Sequence, residues 1–255
     1  MRLQDEMGLA TAGFRSKPAP RMSQAPSPGR INLALKYSRF AWLALRHDGW
    51  VTTIGNLCSE LAFDHHYGTR TWLPKDLASL ETTGGSRMDG VQYQGTNPRL
   101  ARKLLRSLPS DARNAWFIDY GCGKGRGLLL GIEAGFTRLI GVEFAPELAN
   151  QCRANLKIAR RLPPISSISV VEGDAALFQP PPGPLIAFLY NPFRGQTLQR
   201  VLQRLTAHSQ TDGQAVQIVY VNPQEVEQFT RLGWKMKNPI FSRGTLAGGI
   251  WALSL

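Results

Sequence analysis

The chain has 255 residues, a net charge of +12 and 43% hydrophobic residues. This length fits one large domain with an extension, and the composition is that of an ordinary globular protein. Three cysteines, Cys58, Cys122 and Cys152, are too few and too scattered for a disulfide framework or a metal site. They favour a reducing, cytoplasmic compartment, while the positive charge favours acidic partners such as RNA or an acidic protein surface.

The N-terminal part divides into two segments. Residues 1–30 are rich in Pro, Ser and basic side chains, which predicts a disordered basic tail. Asp5 and Glu6, with no apolar run after them, argue against a signal peptide. Residues 31–110 are predicted to form an N-terminal helical extension that includes a lid over the substrate or cofactor. Its most apolar stretch, residues 31–45, is too short and too charged to span a bilayer, so we predict no integral membrane contact.

An unusual polar and aromatic cluster follows at residues 63–71. The adjacent His65 and His66 lack carboxylates or cysteines at the spacing of metal ligands, so surface or capping histidines are predicted and no metal site. Residues 81–90 are a Gly- and Thr-bearing loop, for which a mobile lid and a plain connector are equally good interpretations. The periodic leucines from Pro98 to Leu108 predict an amphipathic helix.

The most informative stretch is a strand, a glycine loop and a helix. Trp116 to Ile118 is short and apolar, which is typical of a buried parallel strand, and Asp119 follows at its carboxyl end. Apolar residues from Leu128 onward predict the buried face of a helix. This layout brings backbone amides and a helix N-terminus against a ligand. Glycines stand between the two elements at every second position: Gly121, Gly123, Gly125 and Gly127.

The glycine spacing decides which ligand fits. The dinucleotide fingerprint needs a third glycine where this chain has Arg126 in one frame and Leu128 in the other. A phosphate P-loop needs Ser or Thr after its lysine, whereas Gly125 follows Lys124. The pattern present, D-x-G-x-G-x-G from Asp119, resembles motif I of the class I S-adenosylmethionine-dependent methyltransferases.

Later strands extend this resemblance. Residues 138–143 form a predicted strand ending in Glu143, and the resemblance implies that this carboxylate accepts hydrogen bonds from both ribose hydroxyls of the cofactor. A third strand leads to Asp174, which by resemblance binds the adenine edge. Residues 185–193 look like a fourth strand followed by motif IV.

The remaining elements complete a fold prediction. Helices are expected at residues 146–162, 196–207 and 225–232, and strands at 216–221, 234–236 and 250–255. Residues 111–255 are therefore predicted to be a class I methyltransferase domain of the α/β class. The resemblance implies a three-layer, Rossmann-like sheet of seven strands whose last strand is antiparallel.

The resemblance also implies a cofactor and a set of site residues. The cofactor would be S-adenosyl-L-methionine. Tyr93-x-x-Thr96-x-Pro98 and the 63–71 cluster are similar to segments upstream of motif I in a group of bacterial methyltransferases of undetermined substrate. The expected cofactor-binding residues are Tyr93, Thr96, Asp119, Gly121, Cys122, Gly123, Glu143, Asp174, Ala175 and Asn191.

The reaction is inferred from the segment Tyr190-Asn-Pro-Phe193. It is similar to the Asn-Pro-Pro-Tyr/Phe motif of nitrogen methyltransferases, although it has one proline rather than two. Asn191 and Phe193 are therefore the expected catalytic residues; the alternative is a plain strand-to-loop turn.

The acceptor is not determined by the sequence. Over residues 60–255 the chain weakly resembles the non-SET histone-lysine methyltransferases, so a nitrogen of a protein or small molecule ranks first. RNA ranks second, because no RNA-binding module is recognisable. A non-catalytic S-adenosylmethionine-binding protein ranks third, and an NAD oxidoreductase fourth. The oligomeric state stays open.

Overall fold

A computed structural model describes residues 50–72, 96–212 and 215–253. The predicted tail at 1–30, the stretch at 31–45, the loop at 81–90 and Tyr93 lie outside the described residues. The sheet and the helices around it belong to one compact unit, Ile54–Leu255.

From residue 116 onward, a helix follows each strand except the third and the sixth, after which the next strand follows directly, and the seventh, which is the last described element. The helices are α1 (Trp50–Tyr67), α2 (Pro98–Arg106), α3 (Arg126–Glu133), α4 (Pro146–Ile158), α5 (Gly195–Asp212) and α6 (Val226–Arg231), with a 3₁₀ turn at Ser110–Asn114. The strands are β1 (Trp116–Tyr120), β2 (Arg138–Glu143), β3 (Ser167–Glu172), β4 (Leu185–Tyr190), β5 (Val216–Val221), β6 (Trp234–Ser242) and β7 (Thr245–Leu253).

The strands form one sheet in the order β3-β2-β1-β4-β5-β7-β6. Strands β1 to β5 pair in parallel, and β7 runs antiparallel between β5 and β6. The prediction of a seven-stranded Rossmann-like sheet with an antiparallel last strand is confirmed. The strand order changes direction between β1 and β4: β2 and β3 lie on one side of β1, and β4 and the later strands lie on the other. In open α/β sheets, ligands bind at such a switch point, beyond the carboxyl ends of the strands.

Helices cover both faces of the sheet, which gives three layers. One face carries α1 to α4, whose buried residues include Phe63, Leu104, Leu128 and Cys152. The other face carries α5 and α6, and buries apolar residues of α5 against the opposite side of β1, β4 and β5. Residues upstream of position 110 therefore contribute to the same core as the sheet.

Local sequence explains where α2 begins. The side chain of Asn97 accepts hydrogen bonds from the backbone N–H groups of Arg99 and Leu100, and Pro98 occupies the first turn. This satisfies donors that a helix start leaves unpaired. Leu104 is fully buried, and a Cβ built on Gly248 of β7 would come within 2.8 Å of its Cδ1. The glycine thus allows α2 to approach the sheet closely.

The last two strands are longer than their sequence patterns predicted. They form a hairpin in which Ser242 pairs with Thr245 across the two-residue turn Arg243-Gly244. Both turn residues have positive φ, 50° and 79°, as in the tight turns that match strand twist. The sequence pattern did not predict the full length of β6, because this strand contains the polar residues Lys235, Lys237 and Asn238. They are exposed, as is usual for a strand at the edge of a sheet. In the parts of the chain described, no helix is both long and apolar enough to cross a membrane.

The role of α2 in the core gives a stability prediction. Leu104→Ala should lower the free energy of unfolding by about 2–5 kcal/mol, because it leaves a cavity between α2 and β7. Lys103→Ala, at an exposed position of the same helix, should change it by no more than about 0.5 kcal/mol. Urea unfolding followed by circular dichroism measures both. Equal midpoints for the two variants would show that α2 is not part of the cooperative core.

Candidate functional site

The glycine loop between β1 and α3 is fixed from two sides. On one side, the backbone N–H groups of Gly121 and Cys122 donate to the carbonyl of Val142 over 2.8 and 3.0 Å. On the other, a Cβ built on Gly121 would overlap Pro192, which follows β4. Gly121 also has φ 75°, so only glycine fits this position without strain. The loop and the segment after β4 are therefore in direct contact.

Glu143 lies at the end of β2, as predicted, but its carboxylate is already engaged. Oε2 accepts from the backbone N–H of Gly123 at 2.8 Å, and Oε1 accepts from that of Ala145 at 3.0 Å. Burial raises the pKa of this carboxyl, while these N–H groups oppose the rise. The backbone N–H of Phe144 also acts on this carboxylate, so about one of its roughly four acceptor positions remains for a ligand. Glu143 thus holds the glycine loop in addition to any role toward ribose.

Asp119, predicted to lie at the carboxyl end of the strand, is the second-last residue of β1. Its side chain is almost fully buried. A Cβ on Gly127, the second residue of α3, would overlap the carboxylate of Asp119. The absence of a side chain at Gly127 therefore makes room for Asp119. Burial, with a smaller contribution from the charge of Glu143, raises the pKa of Asp119 to about 8. A hydrogen bond from the backbone N–H of Leu128 opposes this rise.

Asp174 and Ala175 follow β3 at the same edge of the sheet. The strand ends at Glu172, two residues before Asp174. Asp174 Oδ1 accepts from the backbone N–H of Ala176 at 2.8 Å, which fixes a turn, and Ala175 is buried against the core. An adenine ring lying between this turn and the glycine loop would meet a carboxylate and a small apolar side chain.

Cys122 contributes to packing. Its Sγ lies 3.9 Å from Sγ of Cys152, and both side chains are buried. A Cβ on Gly141 would come within 2.7 Å of the same sulfur. The hydrogen bond to Cys152 and burial raise the pKa of the Cys122 thiol well above its usual range. The side chain fills the space behind the loop. Its N–H donates to Val142 and its carbonyl accepts from the backbone N–H of Gly125 at 2.8 Å, so its backbone groups hold the loop.

Asn191 differs from other asparagines in the same backbone setting. Three Asn-Pro pairs place their asparagine at positive φ: Asn191 at 41°, Asn222 at 54° and Asn238 at 47°. Asn222 and Asn238 are exposed, and Asn222 Oδ1 accepts from the side chain of Gln224 at 3.4 Å. Asn191 is 8% exposed, and its Oδ1 is buried without a hydrogen-bond partner in the described structure. Positive φ at an asparagine before proline thus recurs in this chain, whereas the buried, unpaired amide oxygen distinguishes Asn191 among these three.

Phe193 is 5% exposed and packs in the core on the face of α5. The structure places it three residues beyond the end of β4, within the segment that contacts the glycine loop. Burial of its ring fixes the segment that contains Asn191 and Pro192.

Two residues outside the predicted set, Asp64 and Arg126, connect the upstream cluster to the glycine loop. Asp64 accepts from the hydroxyl and the backbone N–H of Thr71, at 2.6 and 2.7 Å. The hydroxyl oxygen of Thr71 accepts from Nε of Arg126 at 2.8 Å. Nη1 of Arg126 donates to Glu60 and, at 3.2 Å, to the carbonyl of Thr96. The 63–71 cluster therefore acts as a support for the first residue of α3.

The sequence contained a signal for part of this network. The pattern Phe63-Asp64 followed by Thr71 was recognised as unusual, but nothing in it indicated that its partner is Arg126. Glu60, which lies in α1, carries no sequence pattern at all. Thr96, a predicted cofactor-binding residue, is buried. The contact that the structure shows for it is made by its backbone carbonyl, which accepts from Nη1 of Arg126.

Comparisons with family models and with curated proteins returned no match for this chain. Among solved structures, the chain is similar to a candidate RNA methyltransferase from Pyrococcus horikoshii, with 18% identity, a TM-score of 0.48, and coverage of 70% of this chain and 95% of that chain. It is similar to a candidate methyltransferase from Escherichia coli, yhhF, with 19% identity, a TM-score of 0.47, and coverage of 69% and 98%. A TehB-like SAM-dependent methyltransferase from Corynebacterium glutamicum matches with 14% identity, a TM-score of 0.42, and coverage of 61% and 88%.

The raised pKa of Asp119 predicts a pH-dependent stability. An aspartate in the unfolded chain titrates near pH 4, so between about pH 4 and 8 the folded protein holds a proton that the unfolded chain releases. The free energy of unfolding should therefore fall as the pH rises through this window, by at most about 1.4 kcal/mol per pH unit for one proton. Urea unfolding across the window should show this decline.

Asp119→Asn is the matched control, because its amide is neutral throughout. The variant should show a shallower decline than the natural protein, with a residual slope from Glu143, whose pKa is also raised. Identical slopes for the two proteins would mean that Asp119 is ionised in the folded state at neutral pH.

Proposed function

We propose that this protein is an S-adenosylmethionine-dependent methyltransferase that transfers a methyl group to a nitrogen of a protein or small molecule. The observation that carries the proposal is the buried Oδ1 of Asn191, which has no hydrogen-bond partner in the described structure and lies next to the glycine loop through Pro192. A buried amide oxygen without a donor is costly, by about 1–3 kcal/mol. An N–H group of a bound acceptor would remove this cost.

The residues around the glycine loop suit the proposed cofactor. Gly121, Gly123 and Gly125 have φ of 75°, 52° and 90°, which keeps the loop free of side chains on a tight turn. Glu143 and Asp174 stand near the ends of neighbouring strands, where a ribose diol and an adenine amino group could donate to them. When bound, S-adenosylmethionine supplies a methyl group that its sulfonium already activates.

The chain's own residues then have to orient the acceptor and exclude water. Asn191 Oδ1 would accept from an acceptor N–H and direct the nitrogen lone pair toward the glycine loop. Pro192, in contact with Gly121, and the buried Phe193 fix the segment that carries this amide. Asp119, with a pKa raised to about 8, is neutral at physiological pH and so does not add a second full negative charge beside Glu143. The proposed catalysis is mainly positioning, with no dedicated acid–base pair.

The acceptor class can be tested directly. Labelled S-adenosylmethionine is incubated with the protein and a cell extract that has been treated with protease, with ribonuclease, or passed through a small-pore filter. Label that survives ribonuclease but not protease identifies a protein, and label in the filtrate identifies a small molecule. Loss of label only after ribonuclease would replace the proposed acceptor with RNA, which the net charge of +12 also favours.

Cofactor binding provides the first prediction from this function. Calorimetry should show saturable binding of S-adenosylmethionine and S-adenosylhomocysteine and none of NAD, because Arg126 stands where a dinucleotide loop needs glycine. Binding of NAD without either sulfur ligand would overturn the proposed function.

Asn191 provides the second prediction. Asn191→Gly keeps the positive φ of 41° free of strain while it removes the amide. Turnover with the identified acceptor should fall by about 10²-fold or more, because the acceptor is no longer oriented. Cofactor affinity, measured by calorimetry, should change little.

The chain offers a matched control for this variant. Asn222→Gly makes the same replacement at positive φ beyond the neighbouring strand β5, where the side chain is exposed. It should keep wild-type turnover. If Asn191→Gly also methylates at the wild-type rate, the segment after β4 is a turn only, and the acceptor binds elsewhere.

A further inference from the structure

Arg126 is a buried cation whose hydrogen bonds are incomplete. The residue is 2% exposed, and its Nε and Nη1 donate to Thr71, Glu60 and Thr96. Nη2 is also buried, but it has no hydrogen-bond partner in the described structure. Buried guanidinium N–H groups are normally paired, since an unpaired one loses its hydration without compensation. The missing partner of Nη2 should be an acceptor that arrives with a ligand.

The position of Arg126 indicates an anionic partner. It is the first residue of α3, the eight-residue helix that the glycine loop leads into. The N-terminus of a helix carries partial positive charge from its free backbone N–H groups. A guanidinium N–H and a helix N-terminus at the same place both favour negative charge, and a planar guanidinium suits a carboxylate or phosphate.

Arg126 also lies close to the rest of the proposed site. Gly125, which precedes it, is the last loop glycine with positive φ, at 90°. Burial raises the pKa of the Tyr190 phenol to about 12, and the charges of Glu60 and Arg126 act on it in opposite directions. Tyr190 is therefore within electrostatic reach of the guanidinium, and it directly precedes Asn191. The unpaired N–H group thus belongs to the residue that directly follows the glycine loop, and its charge acts on the last residue of β4.

We propose that Nη2 of Arg126 binds the carboxylate of the cofactor's amino-acid part, an inference that rests on the proposed function. S-adenosylmethionine carries one anionic group, this carboxylate, and it is at the opposite end of the molecule from the adenine. With adenine near Asp174 and ribose near Glu143, the amino-acid part is left for the region of Arg126. Glu60 and the carbonyl of Thr96 hold Nη1, and Thr71 holds Nε, so the plane of the guanidinium is fixed and Nη2 is free for the ligand.

The negative charge of Glu60 does not oppose this arrangement as a whole. Glu60 is paired with Nη1, on a different nitrogen from the one proposed to bind the ligand. S-adenosylmethionine also carries an ammonium and a sulfonium, so the ligand that approaches this pair is a net cation. The arginine and the glutamate together match a group that has a carboxylate and an ammonium on the same carbon.

The test compares two ligands that differ only in the carboxylate: S-adenosylmethionine and decarboxylated S-adenosylmethionine. The wild-type protein should bind the first more tightly by about tenfold or more, the usual value of a charged hydrogen bond. In Arg126→Gln this preference should fall close to one, because S-adenosylmethionine loses affinity while the decarboxylated ligand does not. Arg126→Lys should keep part of the preference, since it retains the charge but loses the planar geometry.

The ratio of the two affinities separates binding from structural damage. If Arg126→Gln only loosens the fold, both ligands lose affinity by the same factor and the ratio remains that of the wild type, which overturns the inference. Arg102→Gln is the matched control: Arg102 also pairs with a glutamate, Glu133, but on the surface of α2, and its replacement should leave the ratio unchanged.

Two outcomes with the wild-type protein alone also decide the matter. Equal affinity for both ligands would exclude a cation at the carboxylate and overturn the inference while leaving the proposed function intact. Binding of neither ligand would remove the proposed function, and with it the premise of this inference.

Discussion

The site depends on the contact between the glycine loop and the segment that follows β4. At Gly121 the two backbones come so close that Pro192 occupies the space of a side chain. Strands β1 and β4 are neighbours in the sheet, with Asp119 opposite Phe188 and Tyr120 opposite Leu189, so both segments leave the sheet at the same level. This register alone brings the glycine loop, proposed to bind the cofactor, next to Asn191, proposed to bind the methyl acceptor.

A second layer of contacts fixes the loop from the outside. Glu143 binds the loop through Gly123, and Asn155 of α4 donates from Nδ2 to the carbonyl of Lys124 at 2.9 Å. Asn155 Oδ1 accepts in turn from the backbone N–H of Arg70, which lies in the upstream cluster. Because α1 and the segment after it hold both Asn155 and Arg126, residues before position 72 take part in shaping the loop. Side-chain contacts therefore cross the predicted boundary between the extension at residues 31–110 and the α/β domain at residues 111–255.

Much of the fold could be predicted from local patterns. Apolar runs of three to six residues followed by an acid or a turn located β1, β2 and β4, since a buried parallel strand is apolar on both faces. Strand β6 was underestimated because an edge strand keeps polar residues on its exposed positions, and nothing in Lys235 to Asn238 distinguishes it from a loop. Helix α1 was not located; among its described side chains, the buried ones, which include Phe63 and Tyr67, lie near its C-terminal end.

The site was predictable where the motif itself carries the chemistry and not where partners are distant in sequence. Asp119, Glu143 and Asn191 each follow a strand, so the topology alone brings them to one edge. The pairing of Arg126 with Thr71 and Glu60 spans more than fifty residues, and no periodicity connects them. Sequence singled out Asn191 because it follows an apolar strand. It could not show that the amide oxygen of Asn191 is buried and unpaired, whereas Asn222 and Asn238, also at positive φ before a proline, are exposed.

Buried charge explains why the unpaired groups of this site point to ligands rather than to loose packing. Asp119, Glu143 and Arg126 are each at most 3% exposed. Desolvation of ionisable groups costs several kcal/mol each unless hydrogen bonds or opposite charges offset it. Asp64 shows how the chain meets this requirement: it accepts four hydrogen bonds, from Thr69, Thr71 and Trp72. Five buried side-chain atoms of the described residues lack a hydrogen-bond partner: Arg113 Nη1, Arg126 Nη2, Asn191 Oδ1, Tyr220 Oη and Gln228 Oε1. Of these, Oδ1 of Asn191 and Nη2 of Arg126 belong to residues next to the glycine loop or to the segment in contact with it. Oδ1 of Asn191 can accept a hydrogen bond from an N–H group of the molecule to be methylated. Nη2 of Arg126 can donate one to a carboxylate of the ligand at the other end of the site.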